Sequence, residues 1–394
     1  MSDKTKWLRA FKQAAVVGLI LCLVIVLAVA GLAMTNYKHL GRLVAVVHLI
    51  ETQYLNGASG EELVDGAIKG MLSSLDPYSS FQNEEENTIL MNSIQGRIGG
   101  VGVHISTADP QKLVIMRAVK NSPAEKAGLE AGDIIYKIDS TEVSAISQDQ
   151  AIAILRGEPG TQVTVGVVRP KTNSEFNVTM TREYIDVPTV EGEILPGSSG
   201  IGLINIASFS AQTGDEFEKV VKELLAKNCQ GLIIDLRYNY GGEVNAAVKV
   251  ASMLVPQGPI VHIVDNQGKT ETKQSTAQYL NLPFVVLTNE YTASASEIVS
   301  GAVKDYGTGT LIGQKTYGKG VVQTVFQLDS MTSVKLTTDK YLTPNKNDIH
   351  KIGIEPDIAV QLKEGEKPTI LPSDNKLDTQ LQKAAEVIRS KMKS

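Results

Sequence analysis

N-E-Y-T-A-S-A-S-E-I-V-S-G-A-V-K-D-Y-G-T-G-T-L-I-G-Q-K-T-Y-G-K-G-V-V-Q, residues 289–323, is the stretch on which the reading of this chain turns. The apolar run from Phe284 to Leu287 predicts a buried strand ending at Thr288-Asn289, and an apolar-periodic helix follows from near Glu297. Ser294 falls on the strand-to-helix corner. A serine there is lifted to a sheet end, where the helix N-terminus offers unbonded N–H groups and a positive dipole to a developing oxyanion. Ser294-Ala-Ser-Glu297 is equally a capping box, in which the serine only holds the N3 amide.

Lys319 stands between Gly318 and Gly320, ahead of the strand-like V-V-Q-T-V. Backbone can close tightly around a lysine flanked by glycines, and a desolvated amine gives up its proton more easily and can act as a base. Gln323 follows four residues later, on the same face as Lys319 if the strand is continuous, where its amide could orient the amine. Ser294, Lys319 and Gln323 therefore fit a Ser-Lys pairing of nucleophile and base.

These two segments closely resemble the C-terminal processing proteases, or tail-specific proteases, which couple a PDZ domain to a Ser-Lys peptidase domain. The resemblance implies Ser294 as nucleophile, Lys319 as base and Gln323 as the lysine's partner, with Ser296 as the rival serine. Asp235-Leu-Arg-Tyr-Asn-Tyr-Gly-Gly242 carries another motif of the same family. From it the resemblance implies an oxyanion hole built from the Gly241, Gly242 and Ala295 amides. N-S-P-A-E-K-A-G-L-E-A-G-D-I-I-Y-K-I-D, from Asn121, resembles the most recognisable stretch of a PDZ domain. The glycine-rich turn before it makes Gly99, Gly100, Val101, Gly102 and Val103 candidates for a peptide-carboxylate loop beside a strand edge, with the helix Ser147 to Leu155 as the far wall. Arg156 and Arg169, at the domain's end, read as solvated surface residues.

Working outward, Ala14 to Met34 is uncharged and almost wholly apolar, long enough for a membrane-spanning helix, and Lys4, Lys6, Arg9 and Lys12 precede it. By the positive-inside rule the N-terminus is cytoplasmic and the remainder lies outside the plasma membrane, single-pass. A cleaved signal peptide is the competing expectation, from Ala28-Val29-Ala30. The expected organisation is a cytoplasmic segment 1–13, a transmembrane helix 14–34, a helical segment 35–95, a PDZ domain 96–170, an α/β serine peptidase domain 175–362 and a C-terminal tail 363–394. The fold class is thus mixed: helices, a small PDZ β-barrel with helices, and α/β.

A net charge of −5 with interspersed signs excludes a nucleic-acid face. Cys22 and Cys229 are the only cysteines, and with Cys22 in the apolar run the rest of the chain has no disulfide to form. The five histidines, at 39, 48, 104, 262 and 350, are scattered, and no H-E-x-x-H, C-x-x-C, G-x-S-x-G or Walker sequence occurs. The expectation is therefore no metal and no cofactor, and a histidine triad through His262 or His350 is disfavoured. Protein or peptide substrates with free C-termini are the expected partners, with homo-oligomers common in the family. The rival reading is a PDZ adaptor with an inactive peptidase domain.

Overall fold

The computed structural model describes residues 40–106, 112–198, 200–276, 279–372 and 376–392. They fall into two compact units, one ending at Pro77 and one beginning at Tyr78. The first holds the helices α1 (Leu40–Gln53) and α2 (Gly60–Ser73). α1 buries none of its residues, although its apolar residues recur at helical spacing. The expected membrane helix 14–34 lies outside the described residues, and among those described no helix is long and apolar enough to cross a membrane.

The second unit opens with β1 (Ser80–Gln82), α3 (Glu84–Gln95) and β2 (Arg97–Gly100). The PDZ elements follow as β3 (Val103–Ile105), β4 (Leu113–Ala118), α4 (Pro123–Lys126), β5 (Ile134–Ile138), β6 (Thr141–Glu142), α5 (Gln148–Leu155), β7 (Gln162–Arg169) and β8 (Ser174–Thr181). Their antiparallel sheet runs β3-β4-β5-β7-β8, with β6 beside β5, so β3 is an edge strand. Leu113, Ile115, Ile135, Ile138, Val165 and Val167 are fully buried in its core. β9 (Glu183–Asp186) pairs with β2 and ties the two ends of this region together.

Two sequence expectations are corrected here. The boundary placed at Glu175 falls inside β8, which pairs with β7 along its whole length, from Gln162↔Thr181 to Arg169↔Ser174. A tight turn with Asn173 in the left-handed region, φ 49°, makes one hairpin of what reads as two segments. Arg169 is not a solvated residue: its Nε donates to Asp133 at 2.8 Å, its Nη2 to the Gly128 carbonyl at 2.7 Å, and its guanidinium lies over the Phe176 ring.

The peptidase region contains β10 (Val190–Ile194), β11 (Ile201–Ile206), α6 (Thr213–Ala226), β12 (Gly231–Asp235), α7 (Val244–Leu254), β13 (Pro259–Asp265), β14 (Thr270–Gln274), β15 (Phe284–Thr288), α8 (Ala295–Tyr306), β16 (Thr310–Gly313), β17 (Val321–Gln327), β18 (Ser333–Leu342), β19 (Ile358–Ala359) and α9 (Thr379–Lys391). The main sheet is ordered β10-β11-β12-β15-β16-β19 and is parallel except for β10. Every residue of β11, β12 and β15 is buried, and apart from Asn205, Asp235 and Thr288 all are apolar or glycine, as a sheet covered on both faces requires. Alternate residues serve opposite faces: Ile204, Ile234 and Val286 join a core with α6, α7 and α8, while Leu203, Ile233 and Val285 join one with α9. A second sheet, β1-β18-β13-β14 with β17 on β18, is antiparallel throughout.

The C-terminal segment, which reads in sequence as a polar amphipathic helix or a loose tail, is a docked helix. α9 buries Leu381, Ala384, Ala385 and Ile388, and its N-cap Asp378 reaches Arg237 just beyond β12. Arg237 is wholly buried. Its guanidinium donates to Asp235 through Nε and Nη2 (3.0 and 2.8 Å), to Asp378 and Gln380 through Nη1 (2.9 and 3.0 Å), and to the Thr369 carbonyl (3.1 Å). Two carboxylates and two neutral acceptors offset the cost of burying the cation. Asp378→Ala removes one carboxylate and the helix cap together, and should destabilise the protein by about 3–5 kcal/mol in urea unfolding. Lys383→Ala, which loses only the exposed pair with Glu386, should stay within about 0.5 kcal/mol.

Candidate active site

Ser294 lies between β15 and α8, at the carboxyl ends of the parallel strands, where open α/β sheets form their clefts. Its backbone adopts φ 57° and ψ −117°, a conformation rare for a residue with a side chain and worth roughly 1–3 kcal/mol of strain. At α3 and α5 the N3 amide donates to the cap side chain, Asn83 at 2.9 Å and Ser147 at 3.2 Å. At α8 the Glu297 amide donates to the Ser294 carbonyl, at 2.8 Å. Tyr341 also donates to that carbonyl, at 2.9 Å. Burial, and after it the Glu297 charge, raises the Tyr341 phenol well above its ordinary range, so it remains a donor.

Glu297 fixes the corner to the glycine-flanked lysine. Its carboxylate is fully buried and accepts four hydrogen bonds: Oε1 from Thr316 Oγ1 (2.6 Å) and the Gly318 amide (2.7 Å), Oε2 from the Ser294 and Lys319 amides (2.9 and 2.8 Å). Burial pushes the carboxyl above its ordinary value, against the pull of those donors. The two glycines let backbone close in around the lysine. A Cβ on Gly318 would come within 2.8 Å of the Gly353 nitrogen, and one on Gly320 within 2.7 Å of the His350 nitrogen. The terminal segment H-K-I-G, from His350, is thus the wall against which Gly-Lys-Gly is pressed.

Lys319 is half-buried, with Nζ 4.9 Å from the centre of the Tyr78 ring. Lys315 is exposed and paired with Glu355 at 2.9 Å. The continuous strand assumed between Lys319 and Gln323 is absent: β17 begins at Val321, and its register with β18 shifts between Val322 and Gln323. Gln323 Nε2 donates to Thr337 Oγ1 at 3.2 Å, which leaves its carbonyl oxygen as the acceptor.

Gly241, the first of the glycine pair, lies close against the serine. A Cβ on Gly241, at φ 96°, would sit 2.8 Å from both Ser294 Cβ and the Ala295 nitrogen, so only glycine fits. The Gly241 amide donates to Asn239 Oδ1 at 2.9 Å. Phe209 bridges to the Gly241 carbonyl and the Glu243 amide, leaving the Gly242 amide outside that ladder. Ser296, the rival serine, is fully buried and donates to the Asn239 carbonyl at 3.0 Å. In the PDZ region Gly99 and Gly100 lie inside β2, paired to Tyr184 and Glu183. The loop itself is Val101 and Gly102, and Val103 opens the edge strand β3. α5 stands across from it, with Gln148 Nε2 donating to the Ser106 carbonyl at 2.8 Å.

Comparison with known proteins places the chain in a family. The family described as Peptidase family S41 matches residues 200–360, a PDZ domain family matches 114–169, and the Activating protease CtpB N-terminal domain matches 29–86. The carboxy-terminal processing protease CtpA of Bacillus subtilis is 35% identical over 328 residues, 82% of this chain and 70% of the relative. The carboxyl-terminal-processing protease of a Synechocystis species is 36% identical over 301 residues, covering 75% and 70%. This chain belongs to the carboxy-terminal processing proteases. A solved S41-family structure from Bacteroides fragilis, 20% identical with a TM-score of 0.53 over 84% of this chain and 90% of its own, shares the fold.

As a carboxy-terminal processing protease the chain is a serine-type peptidase carrying a PDZ domain, and a reading as an adaptor with an idle peptidase domain is not favoured. His262 is committed elsewhere, with Nδ1 2.8 Å from Thr272 Oγ1 and Nε2 3.2 Å from the Pro344 carbonyl. Sequence reasoning missed Asn239, Thr316 and Tyr341 and saw in Glu297 only a cap. The glutamate's place at N3 was the available signal, and its bonds to residues 316–319 were not encoded locally. In this processing protease Glu297→Ala leaves four donors without their acceptor, and should cost at least about 3 kcal/mol in chemical denaturation. Turnover should fall by two orders of magnitude or more while PDZ peptide binding persists, and Glu297→Gln, keeping one acceptor oxygen, should fall between.

Proposed function

We propose that this processing protease cleaves by a Ser-Lys mechanism, with Ser294 as nucleophile, Lys319 as general base and Gln323 orienting the lysine. The observation that carries the reading is the convergence of the Ser294 and Lys319 amides on one oxygen of Glu297, at 2.9 and 2.8 Å. Neutral Lys319 takes the Ser294 hydroxyl proton as Oγ attacks the peptide carbonyl, and the resulting ammonium passes that proton to the leaving amine. Water, deprotonated by the same amine, then releases the acyl group. The Gly242 and Ala295 amides are the oxyanion donors in this reading, and Gly241 joins them only by giving up Asn239. The substrate's free C-terminus adds to the β3 edge, its carboxylate at the Val101–Val103 loop.

Turnover of an unfolded protein should be lost in Ser294→Ala and Lys319→Ala, both remaining folded, and should change little in Lys315→Ala, whose side chain is at the surface. Because only the neutral amine accepts a proton, kcat/KM should rise with pH to a plateau. Amidating the substrate's C-terminus should weaken cleavage, and chelators should have no effect. A dead Lys315→Ala beside an active Lys319→Ala would reverse the assignment of the base.

We further propose that residues 14–34 anchor the enzyme as a single-pass protein with its catalytic part outside the plasma membrane, on the uncharged run and its basic N-terminal flank. Protease added to intact cells should digest the PDZ and peptidase regions. A protected fragment containing Ser294 would refute that topology, and a mature chain starting near Gly31 would replace the anchor by a cleaved signal.

A further inference from the structure

Three tyrosines stand exposed on the loops that build the Ser294 corner: Tyr238 and Tyr240 after β12, and Tyr291 after β15, at 40%, 65% and 39% exposure. Tyr238 and Tyr291 stack with ring centres 5.1 Å apart and planes 19° from parallel, and Tyr240 meets Tyr291 edge-on at 6.0 Å and 62°. The rings form an open, L-shaped wall. A grouping of aromatic surface on exposed loops marks an interaction site more often than a packing accident.

The wall is built rather than incidental. Asn289 is buried, and its Oδ1 accepts from the Tyr238 and Tyr291 amides, both at 3.1 Å, so one side chain sets the two loops at stacking distance. Tyr238 is held at φ 61°, a left-handed conformation that costs a non-glycine residue roughly 1–2 kcal/mol. Backbone strain of this kind persists where surrounding contacts impose it, and it clusters at sites that bind or react. The rings are also tied to the reacting centre by short stretches of chain. Tyr240 precedes Gly241, where an added Cβ would lie 2.8 Å from Ser294 Cβ, and Tyr291 lies three residues before Ser294.

We propose that Tyr238, Tyr240 and Tyr291 form a substrate subsite that seats a large apolar or aromatic side chain of the polypeptide close to the scissile bond. The proposal rests on Ser294 being the nucleophile. Tyrosine offers wide contact area with few rotatable bonds, so a pre-stacked pair loses little entropy when another side chain packs onto it. Its hydroxyl can donate to a carbonyl of an extended substrate chain. Burial, and next the nearby Glu290, raises the Tyr238 phenol and so favours its uncharged form. The same glutamate disfavours an acidic side chain in the subsite. Tyrosines also gather where proteins meet lipid, but attachment to both sides of the serine corner favours a peptide.

The test uses end-blocked peptides, which do not present a carboxylate to the PDZ loop, with Phe, Leu, Ser or Asp placed in turn at positions on either side of the cut. At one position the full-length protein should prefer Phe or Leu over Ser by about tenfold or more in kcat/KM, and Asp should be poorest. Tyr240→Ala should bring that ratio close to one, and Tyr240→Phe should preserve it. Binding of the Phe and Ser peptides to Ser294→Ala protein, with and without Tyr240→Ala, should show the same difference and its loss. That arm supports the subsite even if no wild-type turnover is found, a result that would sink only the catalytic reading. An unchanged ratio in a Tyr240→Ala protein of normal thermal stability overturns the proposal. So does binding to phosphatidylglycerol vesicles that depends on Tyr240 while peptide selectivity does not.

Discussion

The buried Glu297 carboxylate is the constraint on which the site depends. A lone charge in the interior is costly unless donors surround it, and here the donors are the backbone and side chains of the two segments that must meet. Meeting the needs of one carboxylate therefore places the serine corner against the glycine-flanked lysine. The same bonds hold Ser294 in a strained conformation, φ 57° and ψ −117°. A residue that reads locally as half of a capping box becomes, in three dimensions, the joint between β15 and the loop before β17.

A second buried charge fixes the end of β12. Arg237, with Asp235 at the end of β12 and Asp378 at the head of α9, locks the C-terminal helix to the strand whose following loop carries Asn239 and the glycine pair. Asn239 then connects three pieces of backbone: its Nδ2 donates to Ile206, its Oδ1 accepts from Gly241, and its carbonyl accepts from Ser296 and Ala293. The sheet ends are thus cross-braced by polar groups, each with its partners in place. This suits a cleft that has to hold backbone amides at fixed distances from a reacting carbonyl.

Much of this was legible one residue after another. The apolar run from Phe284 to Leu287 announced a buried strand, and the strand-to-helix corner at Ser294 followed from that run and the helical period after it. The glycines around Lys319 foretold close backbone approach. Less legible were features that depend on pairing: Ser174–Thr181 alternates like any half-exposed strand, and only its partner β7 assigns it to the PDZ sheet. The spacing from Lys319 to Gln323 presumed an unbroken strand, whereas the register shift at Gln323 belongs to the β17–β18 ladder.

By itself the sequence determined the element types, the order of the PDZ and peptidase regions and the family motifs, because hydrophobic period, glycine placement and caps act over a few residues. The tertiary structure alone decided what those motifs touch. The bonds of Glu297 to residues 316–319, of Arg237 to Asp378 and of Asn289 to Tyr238 each join segments distant in sequence or set on different loops. Such contacts arise from desolvation: a buried polar group must find partners wherever the folded chain brings them.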